Sequence, residues 1–267
     1  MKPLNARIEG IGWWSKGLPS WNDALAFARA GVLPENAAAR PSPQLLAPNE
    51  RRRAPESVAV ALEVALAACN AANRDPATLP SVFASTHGDL GITDYMSATL
   101  AGDDPASISP TRFHNSVHNA AAGYWTIGAG CVRPATALSA HRASFAQGLV
   151  EALAQLACGD DAVLLVAYDT EGTGPLGAVS DSRGLLGGAL VLVACPDGGT
   201  DTAGGSTLLR ATLLDADAPE RHGPLARHGA GNAMAPMLPL FDALATGTSE
   251  ARLKAGPHRQ LVVEIAR

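Results

Sequence analysis

The hydrophobic and polar positions of this chain follow two patterns, one helical and one extended. Between residues 144 and 158, apolar side chains recur every three or four positions and form one continuous face. Gly159 follows directly, so the pattern predicts an amphipathic helix that ends there. Continuous apolar runs at Pro134–Ser139 and Ala162–Tyr168 flank this helix and predict buried strands. The region is therefore predicted to be a β-α-β unit, with a tight turn at Ala140–Ala143 before its helix.

The same two patterns predict further elements on both sides of this unit. Strands are predicted at Ala6–Trp14, Leu79–Ser85, Ala189–Ala194, Ser206–Asp215 and His258–Ala266. Helices are predicted at Trp21–Ala30, Ser57–Ala72, Thr93–Leu100, Ala120–Ile127 and Ala233–Ala245. Ser20 and Asn232 are expected to cap the first and the last of these helices. Irregular structure is predicted at residues 32–50, 103–109, 169–188, 197–205 and 222–231, and the arginine run 51–53 after the first of these segments is placed on a loop. Alternation of helices and strands predicts an α/β fold whose sheet is covered on both faces.

Composition limits the classes of protein to which the chain can belong. Its 267 residues are 47% hydrophobic and 17% charged, which is enough to bury a sizeable core. The net charge of −5 argues against a nucleic-acid-binding protein. No apolar run reaches the ~18 residues that span a membrane, and the N-terminus lacks the apolar core of a secretory signal. We therefore expect a cytoplasmic protein without a membrane span.

The four cysteines are widely separated and form no CxxC pair. Cys69 and Cys158 fall within predicted helices, and Cys195 ends a predicted strand. This distribution favours reduced structural thiols over a disulfide or a metal site. Cys131 precedes the strand Pro134–Ser139, so it lies on the far side of that strand from the turn and is not expected to act as a nucleophile.

Several short words of the central region resemble the N-terminal half of a β-ketoacyl synthase, the condensing enzyme of the thiolase fold. These words are NSVHNAAAGYWTIGAG, ATALSA, ASFAQGLVEALAQLACGD and DAVLLVAYD. The resemblance reaches back to about Ile8 and is clearest between Pro80 and Asp169. It implies a single thiolase-like α/β domain over residues 1–267. Residues 1–170 would form the N-terminal half, and residues 171–267 an abbreviated second half with a small sheet, because the HGT-like and GGHN-like words of that half are missing.

The resemblance also implies where the acyl-carrying cysteine of such enzymes would fall. Counting back from Gly159, the equivalent position is Arg142, or His141 if the turn is one residue shorter. Neither side chain can be acylated as a cysteine is. An alternative is a serine nucleophile, Ser139 or Ser144, assisted by His141. Neither serine has the GxSxG context of a nucleophile elbow, which favours a turn that has lost its chemistry.

A chain of this architecture without the nucleophile resembles the chain length factor of a type II polyketide system, as in aryl-polyene and related pigment clusters. The resemblance implies a non-catalytic subunit that needs no cofactor. It would form a heterodimer with an active ketosynthase, receive chains from an acyl carrier protein and help to shape the acyl tunnel. The residues expected to line this tunnel or the partner interface are Phe113, His114, Ser116, His118, Ala137, Ser139, His141, Arg142 and Phe145. The alternative is a stand-alone thiolase-fold acyltransferase or hydrolase with a non-cysteine nucleophile.

Three further groups of polar residues are candidates for chemistry or binding. His114 and His118 have the i, i+4 spacing of two zinc ligands on one helical face, but the sequence offers no third ligand, so structural hydrogen bonding is favoured and no metal is expected. His87 follows a predicted strand and is interpreted as a polar loop histidine, with a lid or partner contact as the alternative. Arg51, Arg52 and Arg53 are either solvated or a docking site for the acidic surface of a carrier protein.

Overall fold

The computed structural model describes residues 2–180, 182–195, 207–220 and 222–267. Its strands are β1 Leu4–Ser15, β2 Ser81–Ala84, β3 Ala135–Leu138, β4 Ala162–Asp169, β5 Leu186–Ala194, β6 Thr207–Leu214, β7 Glu250–Gly256 and β8 Arg259–Ala266. Its helices are α1 Trp21–Ala30, α2 Pro48–Arg53, α3 Glu56–Ala71, α4 Leu90–Ala101, α5 Pro110–His114, α6 Ala120–Gly128, α7 Ser144–Ala157, α8 Gly174–Val179, α9 Pro224–His228 and α10 Leu238–Thr246.

All eight strands belong to one mixed sheet with the order β3-β2-β4-β5-β1-β6-β8-β7. The strands β3, β2 and β4 are parallel, and every other pair is antiparallel. The long strand β1 joins the two parts, since it pairs with β5 along most of its length and with β6 over Leu4–Ile8. The strands of the second half therefore continue the first sheet across β1.

Helices cover this sheet in layers. The helices α3 and α6 pack on one face, where Trp125 and Phe83 are buried together. The helices α7 and α10 pack on the other face. The helix α7 also contacts β7, where Gln147 Nε2 donates to the carbonyl of Ala255 at 2.6 Å. The α/β architecture with a layered, thiolase-like fold is thus as predicted.

Close packing of α3 on β1 depends on glycine. A Cβ atom at Gly12 would overlap the carbonyl oxygen of Val64 in α3, and one at Gly10 would overlap that of Ala68. The small residues of β1 therefore set the distance between this helix and the sheet.

Most predicted elements are confirmed, and the differences have local causes. The Ser20 hydroxyl accepts the Asp23 N–H at the start of α1, and Gly31 ends that helix in the left-handed conformation with φ 67°. The strand β7 was not predicted, because its alternation of charged and apolar side chains is short and contains Gly and Ala. It forms the first arm of a hairpin with β8.

Three segments predicted as irregular contain short helices, α2, α8 and α9. The helix predicted from Ala233 begins at Leu238, after a short 3₁₀ turn, and the Asn232 side chain accepts the Met234 N–H within that preceding segment. The predicted turn cluster at Asp197–Gly205 lies outside the described residues.

Candidate functional site

The parallel strands β2, β3 and β4 end at the same edge of the sheet, which is where α/β folds place their ligands. Thr86 and His87 follow β2, the turn with His141 follows β3, and Asp169 is the last residue of β4. These residues come from widely separated parts of the chain, and the sheet brings them to one place.

The carboxylate of Asp169 is the buried centre of this edge. It accepts hydrogen bonds from the Ser85 hydroxyl at 2.7 Å, from the Thr86 N–H at 3.0 and 3.1 Å, and from the His87 N–H at 3.2 Å. The Asn232 amide donates to the Asp169 carbonyl at 3.3 Å, which ties the segment before α10 to the end of β4. Asp169 therefore holds the loop after β2 in place.

Burial shifts the pKa values of two ionisable groups at this edge, Asp169 and His87. It raises the pKa of Asp169, while the hydrogen bonds from Ser85 and Thr86 act in the opposite direction. Burial also lowers the pKa of His87, the nearby His141 and His118 act in the same direction, and Asp169 opposes them. A neutral imidazole at His87 near pH 7 follows from this direction.

Two histidines of this edge have specific partners. His87 Nε2 lies 2.6 Å from the Ser180 hydroxyl, and His118 Nε2 lies 2.9 Å from the Ser85 carbonyl oxygen. His87 is therefore more than a polar loop residue, because it joins the loop after β2 to the segment after α8.

The turn between β3 and α7 is strained at one residue. His141 has φ 52°, in the left-handed region that a side chain with a Cβ rarely adopts. The buried Ser144 hydroxyl donates to the His141 carbonyl at 2.7 Å and accepts the Ala140 N–H at 3.0 Å. Ser144 thus stabilises this turn, while the side chains of His141 and Arg142 are exposed.

A cavity of about 540 Å³ opens beside this turn. Thr86, His87 and Ser180 line it on the side of the sheet edge, and His141 and Arg142 line it at the turn. Its lining also includes Glu220 and His222 after β6, Asn232 and Ala233, and Arg252 and Lys254 of β7.

The remaining candidates from the sequence differ in how deeply their side chains are buried. Phe145 is buried in the core at 6.1 Å from the Phe241 ring, away from the surface. Ser139 is exposed, and its hydroxyl donates to the Thr86 carbonyl at 2.9 Å. Ala137 lies on the edge strand β3 and is half-buried, as is Ser116, whereas Phe113 and His114 are exposed.

Two local interpretations need correction. His114 and His118 do not share a helical face, because α5 ends at His114 and His118 lies in the following turn. The three arginines lie in the last turn of α2 and not in a loop. Their positive charge is favourable there, because it is close to the helix C-terminus. Arg51 donates to the Leu46 carbonyl at 3.0 Å, whereas Arg52 donates to the Asn49 side chain within α2.

The sequence reasoning missed several residues of this site. Asp169 could have been found, since a carboxylate directly after a buried apolar strand is a recognisable signal. Ser180, Arg252 and Lys254 gave no such signal, because only the folded chain places the segment after α8 and the strand β7 beside the turn.

Two kinds of feature are absent from the described residues, a metal-binding cluster and a membrane-spanning helix. There, no three His, Cys, Asp or Glu side chains are grouped to hold a metal, and no helix is long and apolar enough to cross a membrane. The four cysteines form no disulfide; Cys69 and Cys131 are buried, and burial raises the pKa of Cys69 to about 12.

Known structures share this fold over almost the whole chain. One is the ketosynthase (ApeO) in complex with its chain length factor (ApeC) from Xenorhabdus doucetiae, with a TM-score of 0.75, 24% identity and coverage of 98% of this chain and 99% of that chain. A type II polyketide synthase complex of an acyl-carrier protein with its ketosynthase bound to the hexaketide (AntDE:AntF) has a TM-score of 0.70 and 11% identity, with 98% and 99% covered. The ishigamide ketosynthase/chain length factor has a TM-score of 0.64 and 16% identity, with 99% of both chains covered.

No curated protein sequence matches the chain. The sequence model described as "Beta-ketoacyl synthase, N-terminal domain" matches residues 24–255, which is most of its length. With the fold and this match together, the chain belongs to the β-ketoacyl synthase N-terminal domain family.

Proposed function

We propose that this chain is a non-catalytic, ketosynthase-like subunit, a chain length factor. It pairs with an active β-ketoacyl synthase and shapes the tunnel that holds the growing acyl chain. The composition of the turn between β3 and α7 carries this proposal. The turn has a strained backbone in front of a helix N-terminus, a geometry that suits a nucleophile, yet its exposed side chains are His141 and Arg142.

The hydrogen bonds of the two nearby serines support the absence of catalysis. The Ser144 hydroxyl is buried and has both a donor and an acceptor in the turn itself. The Ser139 hydroxyl donates its proton to a backbone carbonyl, Thr86, and not to a base. Neither serine is therefore poised to attack a thioester.

The surface around β3 supports pairing with another subunit. This strand is at the end of the sheet and bonds to β2 on one side only. The side chains of Ile127 and Val132 lie just before it and are 84% and 96% exposed. An open strand edge and large exposed apolar side chains are each costly in a lone subunit, and burial against a partner subunit would relieve both costs.

The chemistry of the partner is inferred from the family and from the complexes that share the fold. Their titles name a ketosynthase with its chain length factor, and an acyl-carrier protein with its ketosynthase. For this chain we infer an active ketosynthase as the partner, an acyl carrier protein as the donor of the chain, and a cytoplasmic location. We also infer a conjugated, aryl-polyene-like product, which is the most specific part of this proposal.

A second candidate function is acyl transfer by the chain itself, with Ser180 as nucleophile and His87 as base. The 2.6 Å contact between the Ser180 hydroxyl and His87 Nε2 favours it, as does the lowered pKa of His87. However, Asp169 accepts a hydrogen bond from the backbone N–H of His87 and not from its ring. Within the described residues, no carboxylate therefore orients the imidazole of this pair. We therefore rank this candidate below the first.

Co-expression with an active β-ketoacyl synthase tests the proposed pairing. The two chains should co-elute from a size-exclusion column as a heterodimer at nanomolar to micromolar concentration. A chain that elutes alone as a stable monomer, with the ketosynthase as a separate homodimer, would contradict the proposal.

A further inference from the structure

A second cavity, separate from the one beside the turn, lies between α1 and α9. Its volume of about 410 Å³ is within the range that small organic ligands occupy. Among the described residues, the two cavities share no lining residue. The second cavity is lined by Phe27, Ala28, Gly31, Pro224, Arg227 and His228. The end of α1 therefore supplies one wall, and α9 supplies the other.

The two walls meet in a pair of aromatic rings. The centroids of the Phe27 and His228 rings lie 5.0 Å apart, with an interplanar angle of 57°. Val32 and Leu33 follow Gly31 directly, and their side chains are 56% and 52% exposed. Large apolar side chains at the end of α1 are thus left open to solvent next to a cavity with aromatic walls, which is a common property of binding sites.

The charged group of this lining is the guanidinium of Arg227. Its Nη1 donates to the His222 carbonyl, which orients the group, and within the described residues it forms no ion pair. Burial raises the pKa of the nearby Asp242, and the charge of Arg227 opposes this effect. The Asp242 carboxylate, however, already accepts the N–H groups of Leu225 at 2.8 Å and Ala226 at 3.0 Å. The remaining N–H groups of the guanidinium are therefore available to a ligand.

Both walls of the cavity are fixed to the body of the protein. His228 Nε2 donates to the Lys16 carbonyl at 2.8 Å, and Asp242 of α10 binds the first turn of α9. Arg29 Nε donates to the Ala245 carbonyl at 3.0 Å, which fastens the end of α1 to the end of α10. A ligand therefore meets a preformed site, and little of its binding free energy is lost in ordering the walls.

We propose that the cavity between α1 and α9 binds an aromatic carboxylate, with its ring against Phe27 and His228 and its carboxylate on Arg227. Rings at such separations attract one another in tilted and edge-to-face arrangements. A guanidinium binds a carboxylate through two parallel N–H groups, and Arg227 retains more than two. The site belongs to this chain alone and does not depend on the proposed pairing with a ketosynthase.

Calorimetric titration of the full chain with three probes tests this site. The probe 2-naphthoate carries both groups, 2-naphthamide keeps the aromatic ring without the charge, and decahydro-2-naphthoate keeps the charge without the aromatic ring. We expect 2-naphthoate to bind most tightly. The amide should bind about tenfold more weakly, and the saturated acid about threefold or more. No binding of 2-naphthoate, or an affinity for either other probe that equals it, would overturn the proposal.

Variants assign the binding to this cavity. Arg227→Ala should raise the dissociation constant of 2-naphthoate by about tenfold or more, the usual loss for a charge-assisted hydrogen bond. Arg227→Lys keeps the charge and should lose less, which separates loss of charge from damage to the fold. Phe27→Leu keeps an apolar side chain and should weaken 2-naphthoate more than decahydro-2-naphthoate, because only the former loses a ring contact.

Arg142→Ala reports on the cavity beside the turn, because it removes a guanidinium from the lining of that cavity. It should leave the dissociation constant of 2-naphthoate unchanged. An unchanged dissociation constant in Arg227→Ala, or a loss in Arg142→Ala as large as that in Arg227→Ala, would refute the site between α1 and α9.

Discussion

At the scale of single residues, the site is organised by one buried carboxylate and one half-buried imidazole. Asp169 holds the backbone after β2 through three neighbouring residues, and His87 extends this contact to Ser180. These are the kinds of buried polar contacts whose loss is costly, because each partner is then left without a hydrogen bond.

The direction of the His87 pKa shift predicts how stability depends on pH. Its pKa in the folded chain lies below the ordinary value of 6.5, mainly because of burial. As the pH falls, the unfolded chain takes up the proton first, so the stability that this residue contributes is present above 6.5 and is lost as the pH falls through and below that value. His87→Gln keeps a side chain that can bond to Ser180 but cannot titrate, so it should lose less stability than the wild type between about pH 7.5 and 5.5.

Urea unfolding at both pH values measures this difference. His114→Gln is the matched control, because it makes the same side-chain exchange at an exposed position. If His87→Gln and the wild type lose the same free energy of unfolding over this range, His87 is not held neutral by its surroundings.

At the scale of elements, the hydrophobic pattern was sufficient for the β-α-β unit and for the long helices, because their periodicity runs over several turns. It was insufficient for β7, whose apolar positions are alanines, a leucine and a glycine, and for the helices of five or six residues, which are too short to show a period. The cluster around Asp169 and the cavity beside the turn are formed by contacts between distant segments, so local sequence patterns could not predict them.

The packing of α3 on β1 gives a prediction about glycine. Gly12→Ala should lower the free energy of unfolding by about 3 kcal/mol or more, because the new methyl group overlaps the backbone of α3 at Val64 and a backbone cannot yield as a side chain does. Gly123→Ala on α6 has open space around its new methyl group and should be neutral or stabilising by up to about 1 kcal/mol. Equal stability of the two variants, in thermal and urea unfolding, would show that α3 does not lie directly on β1.

The helix α2 gives a prediction about the carrier protein. Arg52 and Arg53 are exposed, whereas Arg51 bonds to the Leu46 backbone. Arg52→Ala/Arg53→Ala therefore removes the docking charges and costs only the exposed contact of Arg52 with Asn49. We expect slower product formation by the assembled complex, with a deficit that shrinks as salt rises, because screening already weakens such contacts in the wild type. Arg210→Ala is a control, since Arg210 lies on β6, away from β3, and forms an exposed ion pair with Glu264 at 3.7 Å. An unchanged rate at low salt would leave Arg52 and Arg53 as solvated residues.

The edge strand β3 gives a prediction about the interface. The backbone N–H groups of Ser81 and Ser85 donate to the carbonyls of Pro134 and Leu138. The backbone groups of the alternate residue Ala137 therefore point to the open edge. Ala137→Asp would place an unpaired carboxylate at the predicted interface at a cost of several kcal/mol, and the complex should be lost. Ala266→Asp lies on β8, near the opposite end of the sheet, and should leave the complex intact. Size-exclusion chromatography of the co-expressed pairs compares them, and an intact Ala137→Asp complex would remove β3 from the interface.

At the scale of the whole molecule, the chain keeps the layered fold that it shares with known ketosynthase structures, while the turn between β3 and α7 lacks a thiol. The resemblance found in the sequence predicted this combination, because the short words around the turn come from elements that the fold places side by side. The continuous sheet was not predicted, since pairing of β1 with both β5 and β6 is a long-range property. Retained architecture without a thiol at this turn is what the proposed partner subunit would have.

Transfer of an acyl group tests this account most directly. The co-expressed pair is incubated with an acyl-carrier thioester, and the intact mass of each chain is then measured. We predict an acyl adduct on the ketosynthase and none on this chain, because Ser139 and Ser144 are held in hydrogen bonds of the turn and no cysteine is present there. A stoichiometric adduct on this chain, whether within residues 139–144 or at Ser180, would contradict the account.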